Sequence, residues 1–141
     1  MDVWAIVLNR TVGLPMTNWA MPGRWFAHLF KGQVFHADIG QASTVSGEMA
    51  LGWAVHYGVG AIYGIAWVLI AGPIWLAEPT FFPVWIFALV TIAAGWFLLQ
   101  PGMRLGWAAS KTPNPWKVRG LGLLAHTAFG FGMWIVAVAL A

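Results

Sequence analysis

Two histidines stand inside runs of sequence that otherwise carry no charge. His56 lies in Leu51-Gly52-x-x-x-His56-x-x-x-Gly60, and His126 in Leu121-Gly122-x-x-x-His126-x-x-x-Gly130. Residues four apart share one face of a helix. Gly52, His56, Gly60 and Gly64 therefore form one stripe, and Gly122, His126 and Gly130 another. Small residues at this spacing let helices approach closely, and a polar residue among them can hydrogen-bond across. An ionisable side chain in an apolar helix is costly, which makes it a functional candidate by default. Three chemistries fit the pair. Each neutral imidazole can bond a partner such as Tyr57, Thr91 or Thr127 and fix helix packing. The pair can hold a tetrapyrrole, haem or chlorophyll-like, because His is a common axial ligand and a glycine one turn away leaves room for a flat ring. Or it can line a polar path for a proton or small molecule, with Glu48, two turns before His56 on the same face, at its entrance. The two stripes are expected to face one another, so that His56 and His126 share one site. No intramembrane carboxylate relay accompanies them, which weakens the pump version.

Other chemistry is missing from the chain. It has no cysteine, hence no thiolate metal site and no disulfide framework. No histidine–carboxylate cluster has zinc spacing, so no metal site is expected. There is no phosphate-cradling loop, and no serine with an evident histidine and aspartate. The expectation is a protein without catalytic residues. A net charge of +3 with no basic run excludes a nucleic-acid partner.

The elements that must position these histidines follow from composition. Of 141 residues, 60% are hydrophobic and 8% charged, where a soluble domain carries about 25% charged residues. A chain this short must show much of its surface, so the missing charge points to lipid rather than to a core. Three charge-free stretches are long enough to span a bilayer, which takes about 20 residues in helix. Helices are expected over residues 48–71, 80–99 and 119–141, the first two stopped by Gly72-Pro73 and Gln100-Pro101-Gly102. A fourth apolar segment, residues 2–13, reaches about half of a 30 Å hydrocarbon layer. It reads as a short first helix, its missing turns lying upstream or its end covered by neighbours. The N-terminus has no basic n-region or small-residue cleavage site, so it does not read as a signal peptide.

The loops set the orientation. Arg10, Arg24 and Lys31 fall before the second helix, and Arg104, Lys111, Lys117 and Arg119 before the last, whereas Gly72 to Pro79 holds only Glu78. Basic residues concentrate on the cytoplasmic side, which places both chain ends on the non-cytoplasmic face of a bacterial inner membrane. Trp67, Trp75 and Trp85 near the uncharged connection, and Trp107 and Trp116 near the basic one, fit aromatic belts. Within residues 22–31, Trp25, Phe26, Leu29 and Phe30 share one helical face, while Arg24, His28 and Lys31 fall towards the other. This predicts a short amphipathic helix in the headgroup layer. The loop Ser110-Lys111-Thr112-Pro113-Asn114-Pro115-Trp116-Lys117 reads as a rigid turn whose Lys111 and Lys117, with Arg119, suit anionic headgroups; Arg24, Lys31 and Arg104 join them in that role or as topology signals.

An internal repeat ties the helices together. Besides the two histidine patterns, Pro22-Gly23-Arg24-Trp25 echoes Pro101-Gly102-Met103-Arg104, and Val3-Trp4 echoes Val84-Trp85. The fold expected is an all-α, four-transmembrane-helix bundle of two parallel-related hairpins. Its partners are the lipid bilayer and other membrane subunits or a second copy of itself. The segments Gln100-Pro101-Gly102-Met103, Ala108-Ala109-Ser110-Lys111-Thr112-Pro113-Asn114-Pro115, Met1-Asp2-Val3-Trp4-Ala5, His56-Tyr57-Gly58 and Ala125-His126-Thr127 carry a resemblance. In these the chain resembles the bacterial membrane protein family catalogued as domain of unknown function 2938. The resemblance implies a four-helix bacterial membrane protein and supplies no reaction.

Overall fold

A computed structural model describes residues 2–141 of the chain. It is helical, with no strand among the described residues. Helix α1 spans Asp2–Val12, with Asp2 in its first turn and Arg10 in its last, the charge order that complements the helix dipole. Gly13 ends it at φ 68°, where its N–H donates to Asn9 O at 3.1 Å. Only glycine takes that left-handed C-cap without a Cβ penalty. At 11 residues it remains about half a bilayer long. Helix α2 spans Ala20–Leu29, two residues earlier than the amphipathic pattern suggests.

Three long helices follow, each apolar enough to cross a membrane: Glu48–Ala77, Phe81–Gly102 and Pro115–Leu140. The boundaries correct the sequence reading in instructive ways. Helix α3, Glu48–Ala77, does not stop at Gly72-Pro73. Gly72 takes φ 70° and kinks the helix, and Pro73 opens a further turn, as proline does at a first helical position. The connection shrinks accordingly to residues 78–80. Trp75 Nε1 and Trp134 Nε1 bind it by donating to Thr80 O and Pro79 O, each at 3.1 Å.

Helix α4, Phe81–Ala94, likewise runs past its expected end, through a π-helical turn at Gly95–Leu99 into a last turn, α5, at Gln100–Gly102. A proline clashes with the carbonyl four residues back and donates no N–H. The wider π turn absorbs Pro101: Gln100 N–H donates to Gly95 O, five residues back. Helix α6, Pro115–Leu140, starts four residues early, because Asn114 caps it. Its Oδ1 accepts the Lys117 N–H at 3.1 Å, with Pro115 at the first helical position.

The chain packs as two compact units. The first comprises residues 2–16, 60–92 and 120–141. Its centre is α4, where Val84 and Ala88 are fully buried and Ile92 nearly so. Gly130 on α6 lies against this face: a Cβ there would come within 3.0 Å of Ala88 Cβ and 3.2 Å of Trp85 Cα. Phe81 packs against Phe131 and Trp134, and Trp67 against Phe87. The second unit comprises residues 17–59 and 93–119, and its core is Trp25, Ile39 and Met103, flanked by Phe26, Leu29, Val34, Leu99 and Leu105.

Candidate functional site

The polar chemistry of the second unit begins with two glycines that let α2 lie against the start of α3. A Cβ at Gly23 would overlap Glu48 O, and one at Gly52 would overlap Trp19 O. This approach brings Arg24 to Glu48. Arg24 Nε and Nη2 donate to Glu48 Oε2 and Oε1 at 2.8 and 2.7 Å, a bidentate pair. Arg24 Nη1 donates to the carbonyls of Ile39, Gly40 and Ala42 at 3.0, 3.3 and 3.1 Å. Glu48 Oε2 also accepts the Val45 N–H at 2.9 Å. One guanidinium thus ties α2, the 39–42 turn and α3 together, and its hydrogen bonds to Glu48 hold its pKa above the ordinary arginine value. The expectation of Arg24 facing headgroups is corrected here: it is 8% exposed, because its partners are internal. Glu48 is held in this pair.

His28 and His36 lie buried in the same unit. His28 Nδ1 and His36 Nε2 are 2.8 Å apart, and His36 Nδ1 lies 3.3 Å from Gly102 O. A carbonyl only accepts, so His36 carries its proton on Nδ1 and donates to Gly102 O. Its Nε2 then accepts from His28 Nδ1–H. Arg24 and His28 therefore point inward along with Trp25, while Phe30, just past the helix, is 81% exposed. Trp25 Nε1 donates to Val34 O at 2.8 Å, and Gly102 passes so close that a Cβ there would overlap the indole.

Beside His36, the segment after α5 is strained. Arg104, Ala108 and Ala109 have φ of 68°, 46° and 60°, the positive-φ non-glycine residues among those described. Such conformations cost about 1–3 kcal/mol each and persist where surroundings impose them. Here Arg104 Nη1 donates to Ala37 O at 2.7 Å, Arg119 Nε to Ala108 O at 2.8 Å, and Lys111 N–H to Leu105 O at 2.9 Å. The segment walls an open cavity of about 810 Å³, lined in part by Gln33, His36, Asp38, Gln41, Arg104 and Lys111. Lys31 and Lys117 are exposed, and Arg119 lies over the Trp116 ring, 4.7 Å from its centroid.

The residues singled out from sequence fall in both units. In the first, His126 Nδ1 lies 2.9 Å from Ala88 O and 3.1 Å from Thr91 Oγ1. Thr91 Oγ1 itself donates to Ala88 O at 2.7 Å, so the imidazole proton sits on Nδ1 and is shared between the two oxygens. Thr127 Oγ1 accepts from Trp85 Nε1 at 3.1 Å. In the second unit, His56 packs against Trp19 with centroids 4.1 Å apart, and against Trp53 and Tyr57. Of the glycines, Gly52 and Gly130 sit at close approaches, Gly122 is half-buried, and Gly60 and Gly64 have nothing within 4 Å of a Cβ position.

No group of three metal-ligating side chains occurs among the described residues. The His28–His36 pair and the cavity next to it escaped sequence reasoning. The two histidines are eight residues apart, on a helix and on a loop, with no spacing rule to join them. A weak signal did exist: a histidine on the polar face of a helix whose arginine also needed a partner. Neither a curated protein nor a solved structure matches the chain. The family model described as Protein of unknown function (DUF2938) matches residues 1–140, nearly the whole length over which the α2–α3 contact, the proline-rich turn and the two histidine helices are laid out, and the chain belongs to that family.

Proposed function

We propose that this chain is a four-span protein of the bacterial inner membrane that works without catalysis, by associating with other membrane subunits or with itself. In this reading α1, α3, α4–α5 and α6 cross or enter the bilayer as two parallel-related hairpins. The seven Lys and Arg residues lie on the cytoplasmic side, Arg24 among them with its charge turned inward, and both chain ends lie on the other side. The observation that carries the reading is an apolar groove of about 500 Å³ in the first unit, walled by Gly64, Trp67, Trp75, Gly132 and Met133. Gly64 and Gly132 have open space where a side chain would stand, so the groove admits the close approach of another helix, as small-residue surfaces do in membranes. Native mass measurement in gentle detergent should show a complex larger than the 15.4 kDa chain, and Gly64→Leu or Gly132→Leu should reduce it to monomer. A clean monomer at every concentration would defeat the proposal.

One observation favours a second reading, a haem- or chlorophyll-type ligand on His126. Its Nδ1–H bond to Ala88 O fixes the tautomer whose Nε2 carries the lone pair, the arrangement that orients ligating histidines. Purified protein would then show a Soret band that His126→Leu removes.

A further inference from the structure

We propose that the cavity beside His36 binds a phosphate-type anion, presented either on a lipid headgroup or as a free phosphorylated solute. Its charge is the first argument. Two cations, Arg104 and Lys111, line it against one carboxylate, Asp38. Asp38 is turned towards its own backbone, where Oδ1 accepts the Gly40 N–H at 2.8 Å. Its repulsion of an incoming anion is therefore partly spent. Gln33 and Gln41 add amide donors to the wall.

The second argument is preorganisation. Arg104 is held in a left-handed conformation, φ 68°, and one guanidinium nitrogen is anchored on Ala37 O. An arginine fixed at one corner keeps a planar fork for bidentate contact with a phosphoryl group. Lys111 is set across the same segment by its N–H bond to Leu105 O, and its exposed side chain makes no hydrogen bond or ion pair among the described residues. His36 is 7% exposed, with both ring nitrogens engaged. It serves as a rigid wall, and the binding donors are the ones at the rim. The third argument is the remainder of the lining, Ala42, Met103 and Leu105. These apolar groups suit the carbon skeleton attached to the phosphate.

The test uses the full chain in neutral detergent. Phosphorus NMR follows titration with inorganic phosphate and, separately, with short-chain phosphatidic acid. Saturable binding is expected, weakened about tenfold or more by Arg104→Gln and by Lys111→Gln, since each removes a charge-assisted contact. Lys117→Gln, a cation outside the cavity, should leave it unchanged. Saturation by phosphate supports a soluble ligand, and saturation by phosphatidic acid alone supports a headgroup. Lys111→Gln keeps the test open if loss of the Ala37 contact unfolds Arg104→Gln. Absence of saturation with both probes, or an equal loss in Lys117→Gln, would overturn the site in favour of diffuse surface charge.

Discussion

The buried imidazole pair makes a prediction whose sign distinguishes it from ordinary core packing. His28→Leu removes the donor to His36 Nε2, and His36→Leu removes the acceptor of His28 Nδ1–H. Gly102 O does not add to the second cost, because it keeps the His36 backbone N–H, 3.0 Å away. Each single variant therefore strands one buried ring nitrogen, at about 1–3 kcal/mol. Independent sites would give the double variant the sum, about 2–6 kcal/mol. The double variant strands neither nitrogen, however, and puts leucines at two buried positions of a unit whose core is Trp25, Ile39 and Met103. Its loss should therefore be no greater than that of the worse single variant. Equilibrium unfolding in gentle detergent, followed by tryptophan emission, measures all four corners of the cycle. A double-variant loss equal to the sum of the singles would refute the pairing.

Three further outcomes follow from the geometry. Gly102→Ala should cost about 1–3 kcal/mol by overpacking, since a Cβ would overlap Trp25; the thermal midpoint and the Trp25 contribution to emission report it. Gly60→Ala, in open space within α3, should instead stabilise the chain by about 0.5–1 kcal/mol, the helix-interior penalty of glycine, unless a partner helix occupies that face, in which case native mass measurement shows dissociation. Asn114→Ala should lower stability by about 1 kcal/mol, the ordinary value of a helix N-cap, and the same thermal unfolding assay checks it.

The long helices were legible because a run long and apolar enough to cross a membrane announces itself by composition alone. Their ends were less so. Gly72-Pro73 and Gln100-Pro101-Gly102 are stop signals by any local rule, yet in both places helix continues. At the first, a glycine at φ 70° and a proline able to start the next turn replace termination by a kink. At the second, a π turn makes room for the proline ring. In apolar surroundings, unsatisfied backbone groups are costly enough that a kinked or widened helix is preferred to a frayed one. The Asn114 cap has a sequence signature of its own, but the two prolines around it suggest a turn before they suggest a helix start.

The candidate site was harder for a related reason. An apolar composition draws attention to polar residues within long apolar helices, so His56 and His126 stand out, whereas His28 and Arg24 read as the polar side of an amphipathic helix. Amphipathicity reports that two faces differ, not which of them is covered. On α2 both are covered: Trp25, Phe26 and Leu29 pack in the core, and Arg24 and His28 find a bidentate carboxylate, three carbonyls and a second imidazole. The internal repeat carries the same lesson. Gly23 and Gly102, which follow the two echoing prolines, both sit where a Cβ would overlap a neighbour, so that part of the repeat has a common physical cause. In the histidine helices the equivalent positions Gly60 and Gly130 differ, since a Cβ meets nothing within 4 Å at the first and Ala88 and Trp85 at the second. The repeated spacing is compatible with two different packings, and which glycine is needed is decided by the element that reaches it: the Trp19 backbone in one unit and the buried face of α4 in the other.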